Sequence, residues 1–173
     1  MEGKLSGNPT ENLPAPGRNY FYPISVITLM LLLPVASILT EILFVHAAFG
    51  WQLIGKWFLF WGFGVRLLLA GIKQAANPSF TATAIFRIQN PESYPVIREL
   101  GFANICFGVM GLLSLFHAHW RELTAICGGL YFGLDGMQHL LRKSDSRNET
   151  IAMWSDLFMF LLALMFLIFT LPG

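Results

Sequence analysis

Five stretches of this chain are each long and apolar enough to cross a lipid bilayer, whose hydrocarbon core takes about 20 helical residues. They fall near 23–45, 52–72, 95–116, 123–141 and 151–171. That feature leaves few folds open. Inside lipid every backbone N–H and C=O must find a partner, so only helices and closed barrels span. No strand-like alternation of apolar and polar residues is present, which argues against a barrel. The sequence therefore predicts an all-α membrane protein with five transmembrane helices, the spans of 21–173 forming one helical domain. Composition agrees: charged residues make up 12% of the 173, about half of what a soluble surface needs. Eleven Lys+Arg against ten Asp+Glu give a net charge of +1, too balanced for a nucleic-acid partner. Two cysteines cannot build a disulfide framework or a four-thiolate zinc site.

Residues 1–20 carry Pro9, Pro14 and Pro16 among Asn, Gly and Ser and read as a disordered tail. The first apolar run is too long for a signal peptide, whose apolar region is roughly 7–15 residues, so span one is expected to be retained. Basic residues set the direction. With five spans, the tail and the 73–94 and 142–150 loops share one side. That side holds Lys4, Arg18, Lys73, Arg87, Arg142, Lys143 and Arg147, with Arg98 just inside span three. The other side holds Arg121, with Lys56 just inside span two. By the positive-inside rule the amino terminus is cytoplasmic and the carboxyl terminus outside, in a cell (inner) membrane. The sequon Asn148-Glu149-Thr150 then lies on the cytoplasmic side and should stay unmodified. In the long loop, Asn77-Pro78-Ser79 gives a cap and a first-turn proline that start a short interfacial helix. Phe80, Ala84, Ile85 and Ile88 would face the membrane. Asn90-Pro91-Glu92-Ser93 repeats the signal and launches span three.

Ionisable groups inside spans are costly and are suspects for function. At 1.5 Å per residue, Arg66, Glu99, Asn104, Asp135, Gln138, His139 and Asp156 all fall in the cytoplasmic half of the bundle. Glu41 alone lies near the outer end. Asp135 and His139 are i, i+4, with Gln138 at i+3, so they share a helix face, which Tyr131 and Arg142 extend. Gly101, Gly108 and Gly111, with Asn104, form a small face on span three, and Gly129, Gly133 and Gly136 a groove on span four, where helices can approach. The expected geometry sets spans three and four in close contact. Three readings of the polar cluster follow. It is a structural network in which Arg66 pairs with Asp135 or Glu99. It is a polar pocket for a small molecule, proton or quinone-like headgroup. Or it is a metal site of Glu99, Asp135, His139 and Asp156, whose donors suit Fe or Mn.

Elsewhere the chemistry is plain. His117 and His119 flank Ala118 at a membrane boundary, where polar residues are expected, and His46 is equally ordinary. Cys106 and Cys127 read as small core residues. The five tryptophans mostly fall near span ends. No Gly-Lys-Ser/Thr phosphate loop, G-x-S-x-G elbow or H-E-x-x-H is present, and no internal repeat is visible.

The run RLLLAGIK from Arg66, followed by Asn77-Pro78 and Thr81-Ala82, resembles the first span of DoxX-like membrane proteins. Glu99-Leu-Gly101 with Gly108 and Gly111 resembles the acidic, glycine-bearing second span of the same group. The strip from Arg98 to Lys143 is more similar to a family of small bacterial membrane proteins of unknown function. The resemblance covers about 66–171. It implies a four-helix bundle from spans two to five with span one as an extra, and, in some DoxX-like proteins, quinone-dependent sulfur oxidation. The first expectation for function is a non-catalytic accessory or assembly component of a membrane complex, with no cofactor. The lipid bilayer is its surroundings, and a membrane protein or a second copy its partner. The alternative is a small-molecule or quinone-linked redox protein, in which a quinone or a metal occupies the polar pocket. A small transporter comes third, weakened by the missing repeat.

Overall fold

The structure, a computed structural model, describes residues 21–86, 88–141 and 147–171. The tail assigned to 1–20, the basic residues Arg87, Arg142 and Lys143, and the side chains of Arg147 and Asn148 lie outside the described residues. Helix α1 runs Phe21–Val45 and α2 Trp51–Ala76. The short α3 is Pro78–Ala84, α4 is Tyr94–Leu113, α5 is Ala118–Leu141 and α6 is Arg147–Thr170. No strand occurs among the described residues.

Among the described residues, four helical segments are long and apolar enough to cross a membrane: Phe21–Val45, Trp51–Ala76, Pro91–Leu113 and Glu149–Thr170. Helix α5 has 24 residues, about 36 Å at the α-helical rise, but is not among them. It carries Arg121, Glu122, Asp135, Gln138 and His139 within its length, and these lower its average apolarity.

Two long helices contain wide π turns. Thr28–Leu32 in α1 lies just ahead of Pro34, which has no N–H to give and whose ring crowds the carbonyl four residues back. A wider turn relieves that crowding. Leu59–Val65 in α2 ends immediately before Arg66, so it sets the phase at which that residue leaves the helix. At the far end of α1, His46 takes the left-handed conformation (φ 56°) and the Ala47 N–H reaches back to the Glu41 carbonyl at 3.3 Å, which ends the helix.

Packing follows the glycines, but not as the sequence suggested. The small face of α4 meets α2, not α5. A Cβ on Gly111 would stand 2.5 Å from the Gly64 nitrogen, and one on Gly101 2.9 Å from the Gly71 oxygen. The two backbones are therefore in direct contact, which only glycine allows. The groove of Gly129, Gly133 and Gly136 receives Ala163, Phe160 and Leu157 of α6. Helices α2 and α4 form one pair and α5 and α6 another. Between them lies a core of Leu59, Phe63, Phe132, Met159 and Phe166, all nearly or wholly buried. Helix α1 leans on α2 and α6 from outside. Glu41 near its end receives Lys56 Nζ at 2.8 Å and Trp57 Nε1 at 2.7 Å, which accounts for the acid out of place in span one. Cys106 is exposed rather than core, and Cys127 half-buried.

Candidate functional site

One end of the bundle gathers the start of α1, the end of α2, all of α3, the start of α4, the end of α5 and the start of α6. There the helices enclose a cavity of about 420 Å³. Its walls are largely aromatic and aliphatic, from Phe21, Val26, Leu67, Phe80, Phe86 and Phe132. Helix α3 closes one side. The Asn77 side chain caps it, accepting from the Phe80 N–H at 3.3 Å and from Ser79 Oγ at 2.7 Å, and Thr81 and Ala82 are buried beneath it. A short helix is therefore present in the 73–94 loop, where one was expected. Phe80 and Ile85 line the cavity, Lys73 Nζ stands 3.6 Å over the Phe80 ring, and Ala84 and Ile88 are exposed.

Arg66 anchors the polar wall. Its Nη2 donates to Asp156 Oδ1 at 2.8 Å and to Ser155 Oγ at 2.9 Å, and the guanidinium lies 4.9 Å over the Phe132 ring. The side chains are 13% and 3% exposed, so this is a desolvated pair. The expected pairing of Arg66 with Asp135 or Glu99 is corrected. Its partner comes from α6: Glu99 is exposed on α4, and Asp135 of α5 faces Arg66 only at longer range. Asp135 has no hydrogen bond or ion pair among the described residues and faces His139 and Arg66 at longer range. Donor atoms of Asp135, His139 and Asp156 lie within 4.8 Å of one another. At an effective dielectric near 20, two full charges that far apart repel by about 3.5 kcal/mol. Arg66 offsets one of the two carboxylates.

Among the described residues, three buried polar atoms in this region have no hydrogen-bond partner: Arg66 Nη1, Asn104 Oδ1 and His139 Nδ1. Asn104 is 3% exposed, and its Nδ2 donates to Gln74 Oε1 at 2.7 Å. His139 Nδ1 lies 3.4 Å from Glu149 Oε1, an ionic approach whose geometry is too poor for a hydrogen bond. An unpaired buried donor or acceptor costs about 1–3 kcal/mol, so such atoms cluster where a ligand satisfies them.

Of the seven polar residues singled out in the sequence, Arg66, Asn104, Asp135, His139 and Asp156 line the cavity. Glu99 and Gln138 do not; both are exposed on the outer faces of α4 and α5. Three polar lining residues carry no motif in the sequence, Tyr22, Ser25 and Gln74, and Lys73, which entered only the charge balance and the Arg66 run, lines the cavity with them. Tyr22 stands beside the Arg66 side chain. Its signal was its depth, two residues into α1 and level with the other polar groups.

No curated protein and no solved structure matches the chain. A family model does, described as a family of unknown function (DUF6790), and it aligns with residues 21–171. That match takes in every described helix and every cavity residue named above, so the chain belongs to the DUF6790 family.

Proposed function

We propose that this integral membrane protein binds a small amphiphilic molecule, holding its polar head against Arg66, Asn104, Asp135 and His139. One observation carries the reading: polar side chains from α2, α4, α5 and α6 converge on a single cavity whose remaining walls are apolar. Ligand sites have that make-up, a greasy enclosure with a few placed polar groups. The resemblance to DoxX-like proteins puts a quinone headgroup first among the probes. For an accessory or assembly role, the glycine faces of α4 and α5 offer no free packing surface, since both are occupied within the fold.

The reading includes five crossings. The outward face of α5 is a stripe of Leu123, Ile126, Leu130, Leu134, Met137 and Leu141, with Leu134 72% exposed. A polar inner face and an apolar outer one suit a helix whose surroundings are lipid. Five crossings and the basic residues then put residues 1–20 and the cavity end on the cytoplasmic side.

The test is thermal unfolding of the full chain in detergent with short-chain quinones, fatty acids and lysophospholipids. One class should stabilise it saturably, by about 2.7 kcal/mol at a hundred times its Kd. Asn104→Leu should lose that response while the unliganded protein still folds. No saturable response from any of the three classes, or one unchanged in Asn104→Leu, would sink the proposal.

A further inference from the structure

We propose that Asp135, His139 and Asp156 form a site for a divalent transition-metal cation in the wall of the cavity. This deepens the cavity reading and rests on it for the site's location. The donor atoms of the three residues stand within 4.8 Å of one another. Ligands sharing one ion at about 2.0–2.2 Å per bond sit roughly 3–4 Å apart, so side-chain rotations of about an ångström close the set. Asp135 and His139 come from one helix at i, i+4, a spacing that puts two ligands on one face. Asp156 comes from α6, packed along α5.

Two further observations point to a cation. The charges are unequal: Asp156 has Arg66 at 2.8 Å, while Asp135 has no ion pair among the described residues. Asn104, 3% exposed, lines the same cavity, and its Oδ1 has no hydrogen-bond partner among the described residues. Two carboxylates and an imidazole suit Mn, Fe or Zn. Around them stand the outer partners such ligands need. Arg66 fixes Asp156 through Oδ1, and the Glu149 carboxylate stands near His139, its Oε1 3.4 Å from Nδ1. Glu99, once counted with this set, faces outward and takes no part.

Chelator-stripped full-length protein in detergent, with no amphiphile added, should bind one equivalent of Co²⁺ and develop visible d–d absorption. Mn²⁺ and Zn²⁺ should compete. Asp135→Asn and His139→Gln should each weaken binding by more than about 100-fold, beyond what loss of an outer partner does. Glu99→Gln should leave it unchanged. Should either variant fail to fold, pulsed EPR of Mn²⁺ bound to the wild-type chain decides instead, and coupling to one imidazole nitrogen is expected. Absence of saturable Co²⁺ binding, affinity unaltered in both ligand variants, or no nitrogen coupling overturns the site. Cobalt binding that depends on Asp135 and His139, in a protein that no amphiphile stabilises, upholds the metal site while refuting the amphiphile reading.

Discussion

Arg66→Leu removes the guanidinium that faces Asp156 and leaves a carboxylate 3% exposed without its 2.8 Å partner. Breaking a buried pair from one side costs about 3–5 kcal/mol, because the remaining charge is desolvated and uncompensated. The hydrogen bond to Ser155 and the stacking on Phe132 go with it. Ser155 keeps the Ala152 carbonyl at 2.7 Å, so that loss is small. For a chain of this length 1 kcal/mol moves Tm by about 2–4 °C, so the single variant should melt about 6–20 °C below wild type in detergent. The choice of second change makes the prediction specific. Asp156→Asn in the Arg66→Leu background removes the stranded charge and should recover most of the loss. Asp135→Asn should recover less, since Asp135 makes no ion pair with Arg66 among the described residues, and Glu99→Gln should recover nothing, since Glu99 faces outward. The assay is thermal unfolding of wild type, Arg66→Leu, the three acid variants alone and the three double variants, read as double-mutant cycles. A neutral Arg66→Leu, or rescue by Glu99→Gln equal to rescue by Asp156→Asn, would refute the pairing.

Two other outcomes follow from the same geometry. At Gly108 an added Cβ would stand 2.5 Å from the Leu68 backbone nitrogen. Gly108→Ala should therefore separate α2 from α4 and cost about 1–3 kcal/mol in thermal unfolding, whereas Gly50→Ala, with nothing within 4 Å, should be neutral. In glycosylation-competent membranes, a sequon added on a spacer after Gly173 should be modified and Asn148 should not. Modification of Asn148 alone would reverse the orientation, and modification of both would exclude five crossings.

Much of the site was legible because depth along a helix is a simple product of residue count and rise. Arg66, Asn104, Asp135, His139 and Asp156 fall at one level, and the structure gathers them there. Depth is only one coordinate, however, and the second is azimuth. Glu99 precedes Gly101 by two residues, a turn of about 200°, so the glycine face that packs on α2 directs Glu99 away from the bundle. Asn104, three residues after Gly101 and four before Gly108, shares that inward face. The same phase argument separates Gln138 from Gly136, two residues earlier and buried. Both outward residues were therefore decipherable from spacing relative to the glycines, a stronger guide than depth alone.

What spacing could not supply was the choice of neighbour. A glycine face says that some helix approaches closely, and both α2 and α5 were available to α4. The decision rests on matched surfaces. Gly64 and Gly71 on α2 are themselves small and face Gly111 and Gly101, so the two backbones meet without an intervening side chain. The groove on α5 instead faces large residues, Phe160 and Leu157, which fill it as knobs. Small against small and small against large are two different ways to exclude a void, and they lead to different partners. That choice then fixes the chemistry. With α4 bound to α2, Asn104 reaches Gln74. With α5 bound to α6, Asp135 and His139 come within ligand distance of Asp156. Arg66, leaving α2 directly after its wide turn, spans the gap between the two pairs to Asp156. Its ion pair thus crosses the seam between two glycine-packed hairpins, at the wall of the cavity. Filling the cavity and holding the hairpins together are therefore coupled through one residue, and a ligand that engages Arg66 Nη1 or Asp135 should stabilise the seam along with the site.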